Sequence, residues 1–279
     1  MKINILFKHL LIFFKQLNLN HTLKYLIYFL IKGKKIIMPY ELKNNTKIYL
    51  NVGEFVQFWI FMDDGYESEW IELAKRYSKG ATVLDIGAHI GIYSLNLYRT
   101  AKTIYAFEPE KNNYNQFIKN VKSNYINNIH VYNKAVSNEK KNSVKLFLSE
   151  FNKGLHSLYL RNTNKYQVVN TTTVDSFVRQ YKVENIKLIK IDVEGSELDV
   201  LKGARITVTK YHPKIIIEIN KYRLLASKVQ PNEIYNTLSL MGYSCHTFIN
   251  NSLKQINIKE FSEITNQNVI FISHRFRSK

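Results

Sequence analysis

From residue 82 onward, short β-branched runs alternate with stretches whose apolar residues recur at helical spacing, the pattern of βαβ units around a parallel sheet. Thr82–Ile86, Thr103–Phe107, Ile129–Asn133, Lys187–Ile191 and Lys214–Ile219 predict five strands. Helices are expected in most of the gaps, the first over Ile92–Tyr98. Between the third and fourth strands the alternation breaks. Ser143–Leu148 and Gln167–Thr171 read there as added strands, and Glu150–Asn164, with Gly154, His156 and Ser157, as a polar loop able to shape a pocket. After the fifth strand Pro231 opens a helix ending at Gly242, and Tyr243–Phe248 with Asn268–Ser273 predict a terminal antiparallel pair. The fold class expected is α/β and Rossmann-like: a mostly parallel twisted sheet with helices on both faces and that pair at its end.

Upstream, Ile3, Leu6, Phe7, Leu10, Phe13, Phe14 and Leu17 share helical spacing while Lys8 and Lys15 fall on another face, which predicts a basic amphipathic helix. Leu26–Ile31 is a second apolar run. Residues 46–61, with Lys47–Leu50 and Phe55–Trp59 around Gly53, read as a hairpin, and Tyr66–Tyr77 as a helix. The chain thus divides into an N-terminal extension, 1–65, and a main domain, 66–279. Neither apolar run approaches the roughly 20 uninterrupted residues of a membrane span. Residues 1–36 carry seven lysines and no acidic residue, which suits peripheral association with an anionic membrane; the alternative is a helix pair packed on the domain.

Composition narrows the picture. A hydrophobic fraction of 45% and a charged fraction of 22% exclude general disorder. Lys+Arg number 40 against 22 Asp+Glu, a net charge of +18, which favours an anionic partner or reflects the coding bias visible in the abundant Lys, Asn and Ile. The single cysteine, Cys245, excludes an intrachain disulfide and a zinc finger. The N-terminus lacks a small-residue cleavage site and is interrupted by Lys8, His9 and Lys15, so a cytoplasmic setting is expected.

The chemistry concentrates at predicted strand ends. Asp85-x-Gly87-x-x-x-Gly91, with Ala88 and His89 inside it, joins the first strand to a helix, and glycine there permits a tight turn and close approach to a ligand. The middle glycine that admits a pyrophosphate is missing, which argues against a nicotinamide dinucleotide. S-adenosylmethionine carries no phosphate, and an acidic strand end suits its cationic amino group. Glu108, before Pro109 at the tip of the second strand, can accept both ribose hydroxyls or cap the next helix, which Pro109 and Glu110 would open. Lys134 and Ala135 fall where an adenine edge would lie. The fourth strand ends in Asp192-Val193-Glu194-Gly195-Ser196-Glu197, with Ser196 starting a capping pattern with Asp199.

Together these runs resemble the FkbM-type methyltransferases. The resemblance covers about Tyr66 to Asn220 and rests on Val83–Gly91, Tyr105–Pro109, Asn133–Ser137, Lys190–Glu197 continuing through Asp199–Ala204, and Ile217–Ile219. It implies a class I methyltransferase sheet, S-adenosylmethionine as donor, and O-methylation of hydroxyls on glycans, lipids or secondary metabolites. His89 replaces the asparagine common in that loop, which puts a side-chain role there in doubt.

The expected catalytic group is Asp192, as base or orienting residue for the acceptor hydroxyl, with Glu194 beside it and Glu218 as a third candidate. Asp192 and Glu218 could share a divalent metal, but strand-end carboxylates are more often hydrogen-bonded without one, so no metal is assigned. His156 and His212 could join either scheme. A small-molecule or glycan acceptor is expected. The competing readings are an RNA methyltransferase, suggested by the net charge but without an appended RNA-binding signature, and a non-catalytic binding protein of the same fold.

Overall fold

A computed structural model describes residues 2–17, 19–64, 66–149, 156–159 and 163–274, with side chains from Lys8 onward. The chain opens with α1 (Lys2–Gln16) and α2 (His21–Ile31), the strands β1 (Ile37–Glu41) and β2 (Lys47–Asn51), then α3 (Phe55–Met62) and α4 (Ser68–Ser78). The βα alternation follows: β3 (Thr82–Ile86), α5 (Ile92–Leu97), β4 (Thr103–Phe107), α6 (Lys111–Ser123) and β5 (Ile129–Tyr132). An excursion comprises β6 (Ala135–Val136), β7 (Val144–Phe147), β8 (Tyr166–Val169), β9 (Thr171–Thr172) and α7 (Val174–Gln180). The chain then returns through β10 (Ile186–Ile191), α8 (Glu197–Lys202), α9 (Arg205–Tyr211), β11 (Lys214–Asn220), α10 (Lys221–Ala226) and α11 (Pro231–Leu240). It ends with β12 (Tyr243–Ile249), β13 (Ser252–Ile256), α12 (Ile258–Ser262) and β14 (Asn266–Ser273).

The eight-stranded sheet has the order β13-β12-β14-β11-β10-β3-β4-β5. Its β-branched strands β11, β10, β3, β4 and β5 are parallel, and β14 inserts antiparallel between β11 and β12, as the terminal pair predicts. The strand β13, absent from the sequence reading, forms a hairpin with β12. Side chains alternate across the sheet. Val83 and Ile216 enter one core, shared with the N-terminal elements and α5, while Leu84, Ile86 and Ile217 enter the other, under α8 and α11. The added strands β7 and β8 pair with each other outside the sheet. Of the polar loop between them, Glu150–Leu155 and Leu160–Asn162 lie outside the described residues, Gly154 among them.

Two N-terminal expectations are corrected. The hairpin falls one element earlier: β1 pairs with β2, Ile37 opposite Asn51, and Phe55–Met62 is helical. An apolar run of this kind does not by itself distinguish a buried strand from a buried helix. Its surroundings decide, because α3 packs between α2 and β2, and the consecutive Ile60, Phe61 and Met62 are all buried. On α1 the seam is also displaced. Leu11 is buried and Phe14 packs on the core, whereas Leu10, Phe13 and Leu17 of the predicted apolar face are exposed. Lys15 instead faces the body, its Nζ 2.7 Å from Asp64.

Candidate active site

Sheet register builds the site. Ile86 of β3 lies opposite Phe107 of β4 and Ile191 of β10, and Ile191 lies opposite Ile217 of β11. The residues that follow, Gly87, Glu108, Asp192 and Glu218, therefore emerge side by side at the carboxyl ends of four neighbouring strands. Strand order reverses between β3 and β10, the position where open α/β sheets bind ligands. A cavity of about 250 Å³ opens there. It is lined by Asp85, Gly87, Ala88, His89, Glu108, Pro109, Lys134, Ala135, Asp192, Glu194 and Glu218, but not by Gly91.

The glycine loop is shaped by its protein neighbours. Gly87 has φ +82°, and a Cβ there would lie 1.7 Å from the Asp192 carbonyl oxygen. Gly91, at φ +93°, precedes α5, where a Cβ would meet the Phe117 ring at 2.1 Å. His89 is also left-handed, with φ +53°, a region that asparagine and histidine enter more readily than most residues. Its backbone N–H donates to Glu108 Oε2 at 2.8 Å. Histidine is thus compatible with the left-handed backbone at this position.

Two carboxyls flank this loop. Asp85 is 2% exposed and accepts from the Ser94 N–H at 3.2 Å and the Ser94 hydroxyl at 2.5 Å, which ties α5 to β3. Burial pushes its pKa up, against those two bonds. Glu108 accepts from the Glu110 and His89 N–H groups, each at 2.8 Å, yet burial raises its carboxyl to about 8. Glu110, rather than Glu108, caps α6, accepting from the Asn113 N–H at 2.7 Å. The helix begins at Lys111, so Pro109 remains in the loop instead of opening it.

The expected catalytic carboxylates meet. Asp192, Glu194 and Glu218 each bring an oxygen to within 4.8 Å of the others, a donor set that a hard divalent cation could use. The protein supplies its own compensation. Lys190 is 1% exposed and places Nζ 3.2 Å from Asp192 Oδ2. Burial alone would raise the Asp192 pKa, but the Lys190 charge and a hydrogen bond donated by Glu218 hold it below the usual carboxylate range. Glu218 is pushed well up by the Asp192 charge, by burial and by that shared hydrogen bond. Glu194, with φ +53° and 8% exposed, is raised by burial and by Asp192, while Arg223 Nε lies 3.4 Å from its Oε2. The cluster thus sets three carboxyl groups between two cations, Lys190 beside Asp192 and Arg223 beside Glu194.

Ser196 departs from its expected capping role. It occupies the N-cap position of α8, but no hydrogen bond from its side chain caps the helix. Asp199 instead accepts from Asn138 Nδ2 at 3.2 Å and from the Tyr159 hydroxyl. Glu197 does serve the turn, accepting from the Gly195 N–H at 3.0 Å. The buried Ser196 Oγ, which has no hydrogen-bond partner among the described residues, belongs to the cavity wall.

Several lining residues escaped the sequence reading. Lys190 had a signal, a cation between Ile189 and Ile191 in a strand buried on both faces. Glu67, Tyr66 and Tyr93 had none, because their meeting depends on α4 packing on α5; the Tyr93 hydroxyl donates to Glu67 at 2.5 Å. His156 and Leu158 of the excursion cover the site, and the neighbouring Ser157 hydroxyl donates to the Glu194 carbonyl at 2.7 Å. His212 ends α9 at φ +47° and does not line the cavity.

Among the described residues, six carboxyl side chains and two lysines line this cavity. That set offers hydrogen-bond partners to a hydroxyl- and amino-bearing ligand and few cations to a pyrophosphate. A Rossmann-like sheet with carboxyls at its first two strand tips and no pyrophosphate glycine pattern defines a class I S-adenosylmethionine-dependent methyltransferase. The profile of the Methyltransferase FkbM domain matches residues 85–245, more than half of the chain, and the chain belongs to that family. Its methyl donor is S-adenosylmethionine.

Among curated proteins, the chain is 22% identical to Methyltransferase 1 of Beauveria bassiana (strain ARSEF 2860), over 60% of this chain and 76% of that protein. Among solved structures, it is similar to the methyltransferase FkbM of Methylobacillus flagellatus KT, with 19% identity and a TM-score of 0.43. That match covers 69% of this chain and spans 43% of the other. The Pyrococcus abyssi tRNA (uracil-54, C5)-methyltransferase in complex with S-adenosyl-L-homocysteine is 12% identical, with a TM-score of 0.41, over 70% of this chain and 37% of that one.

Proposed function

We propose that the protein transfers a methyl group to a hydroxyl of a glycan, glycolipid or secondary metabolite, with Asp192 as the proton acceptor. The observation that carries this reading is the position of Asp192 at the cavity wall, 3.2 Å from the buried Lys190 Nζ and grouped with Glu194 and Glu218. When bound, the donor supplies an electrophilic methyl. Asp192 aligns the acceptor hydroxyl through its hydrogen and takes the proton at Oδ as the oxygen reacts. Lys190 and a hydrogen bond from Glu218 keep Asp192 ionised beforehand. An RNA acceptor is favoured by the net charge of +18, but among the described residues only two lysines, Lys134 and Lys190, line the cavity, and Lys190 is paired with Asp192. Incubation with methyl-labelled donor, separately with surface-glycan extracts and with RNA, tests the assignment. Label in a base-stable methyl ether of the glycan supports it, and label confined to RNA or to a base-labile ester overturns it.

Donor binding falls to the loop 87–89, Asp85 for the amino group, Glu108 for the ribose, and Pro109, Lys134 and Ala135 beside the adenine. With its carboxyl at about 8, Glu108 is protonated at neutral pH and must ionise to accept from both ribose hydroxyls. Donor affinity is therefore expected to rise with pH, by up to about tenfold per unit, levelling off above about 8. Calorimetric titration of wild type and Glu108→Gln checks this, the variant giving weaker and pH-independent binding. Folding carries the opposite sign. The folded state retains a proton that the unfolded chain releases above 4.5, so this group lowers stability as pH rises from there toward about 8.

A further inference from the structure

The two N-terminal helices each leave an apolar stripe in solvent. Along α1 and the turn that ends it, Leu10, Phe13 and Leu17 are 41%, 52% and 50% exposed, while the same helix buries Leu11 against the body. On α2, Leu26, Phe29 and Leu30 are 57%, 67% and 68% exposed, while Ile27, Tyr28 and Ile31 are buried. The spacings i, i+3, i+7 and i, i+3, i+4 gather each trio on one side of its helix. The body has therefore satisfied one face of each helix and left a second face uncovered. Isolated exposed apolar residues are ordinary, but two contiguous stripes of large side chains mark a contact surface.

Charge identifies what covers it. Residues 1–36 contain seven lysines and no acidic residue. Three of them, Lys32, Lys34 and Lys35, are exposed immediately after α2, with Lys32 Nζ 5.7 Å from the Phe29 ring centroid. A second copy meeting this face would bring like-charged lysine groups together. An anionic lipid surface would accept the apolar side chains below its headgroups and attract the lysines, each strengthening binding about fivefold. Among the described residues no helix is long and apolar enough to cross a membrane, so the helices would lie along it.

We propose that α1 and α2 dock the protein peripherally on an anionic lipid surface. The docking face is one layer from the cavity. Tyr25 and Tyr28 of α2 pack on Phe55 of α3 with ring centroids 6.3 and 5.4 Å apart, and α3 supplies Val56 and Ile60 to the cavity wall. The inference concerns attachment and is independent of which acceptor is methylated.

Cosedimentation of the full chain with vesicles tests it. Binding is expected to equimolar phosphatidylcholine and phosphatidylglycerol, at least about tenfold weaker to phosphatidylcholine alone, and to decline with added salt. The combined substitution Leu26→Ser, Phe29→Ser and Leu30→Ser should lower vesicle binding at least about tenfold while leaving S-adenosylmethionine affinity unchanged. Lys32→Gln, Lys34→Gln and Lys35→Gln together provide a second test that leaves the apolar packing intact, and should also weaken binding at least about tenfold. The proposal is overturned if wild type does not pellet with the anionic vesicles, or if the lysine variant binds them as well as wild type. It is equally overturned if wild type is a dimer that the serine substitutions dissociate and that shows no vesicle binding.

Discussion

Asp192→Asn is expected to lower turnover by on the order of 10²–10⁴-fold, the usual contribution of a positioned base, while S-adenosylmethionine affinity changes little. The substitution also leaves Lys190 as a 1%-exposed cation without its anion. Removing one member of a fully buried ion pair costs about 3–5 kcal/mol. Here the Asp192 side chain is 31% exposed, so water can reach the pair and a loss of about 1–3 kcal/mol is expected. A second variant separates the two effects. Asp192→Asn combined with Lys190→Met removes both charges and should recover most of the lost stability, as measured by urea denaturation, but none of the activity. Turnover restored along with stability would assign Asp192 a structural role and leave Glu218 or Glu194 as the base.

The same pair shows where sequence was sufficient. The five parallel strands were legible because each is a short β-branched run with a chemically marked end, and their parallel register brings Gly87, Glu108, Asp192 and Glu218 to one edge without further information. What sequence left open depends on long-range packing. Lys190 could be flagged as a cation in an apolar strand, but only the sheet shows that Lys190 and Asp192, two residues apart, converge on one ion pair. The N-terminal hairpin lies one element earlier than the spacing predicts because Phe55–Met62 has no polar period to separate helix from strand. The buried seam of α1 differs from the predicted face because apolar residues occupy both sides of that helix, and the body buries the side bearing Leu11.

Gly87→Ala is expected to destabilise the protein by about 2–5 kcal/mol, for two reasons that a control can separate. Alanine at φ +82° costs about 1–2 kcal/mol wherever it occurs. Its Cβ would also lie 1.7 Å from the Asp192 carbonyl oxygen, a contact that only backbone movement can relieve, and forced overpacking adds about 1–3 kcal/mol. Gly242 has nearly the same backbone, φ +80°, with nothing within 4 Å of its Cβ position. Gly242→Ala should therefore show the conformational part alone. The difference between the two urea midpoints measures the close approach of β3 and β10, and equal midpoints would show that this approach is not tight. Since the Asp192 N–H donates to the Ile86 carbonyl at 2.9 Å, any shift that accommodates the new methyl group moves the base as well. Turnover should then fall in Gly87→Ala even under conditions where the variant is fully folded, whereas Gly242→Ala, outside the cavity, should retain wild-type turnover.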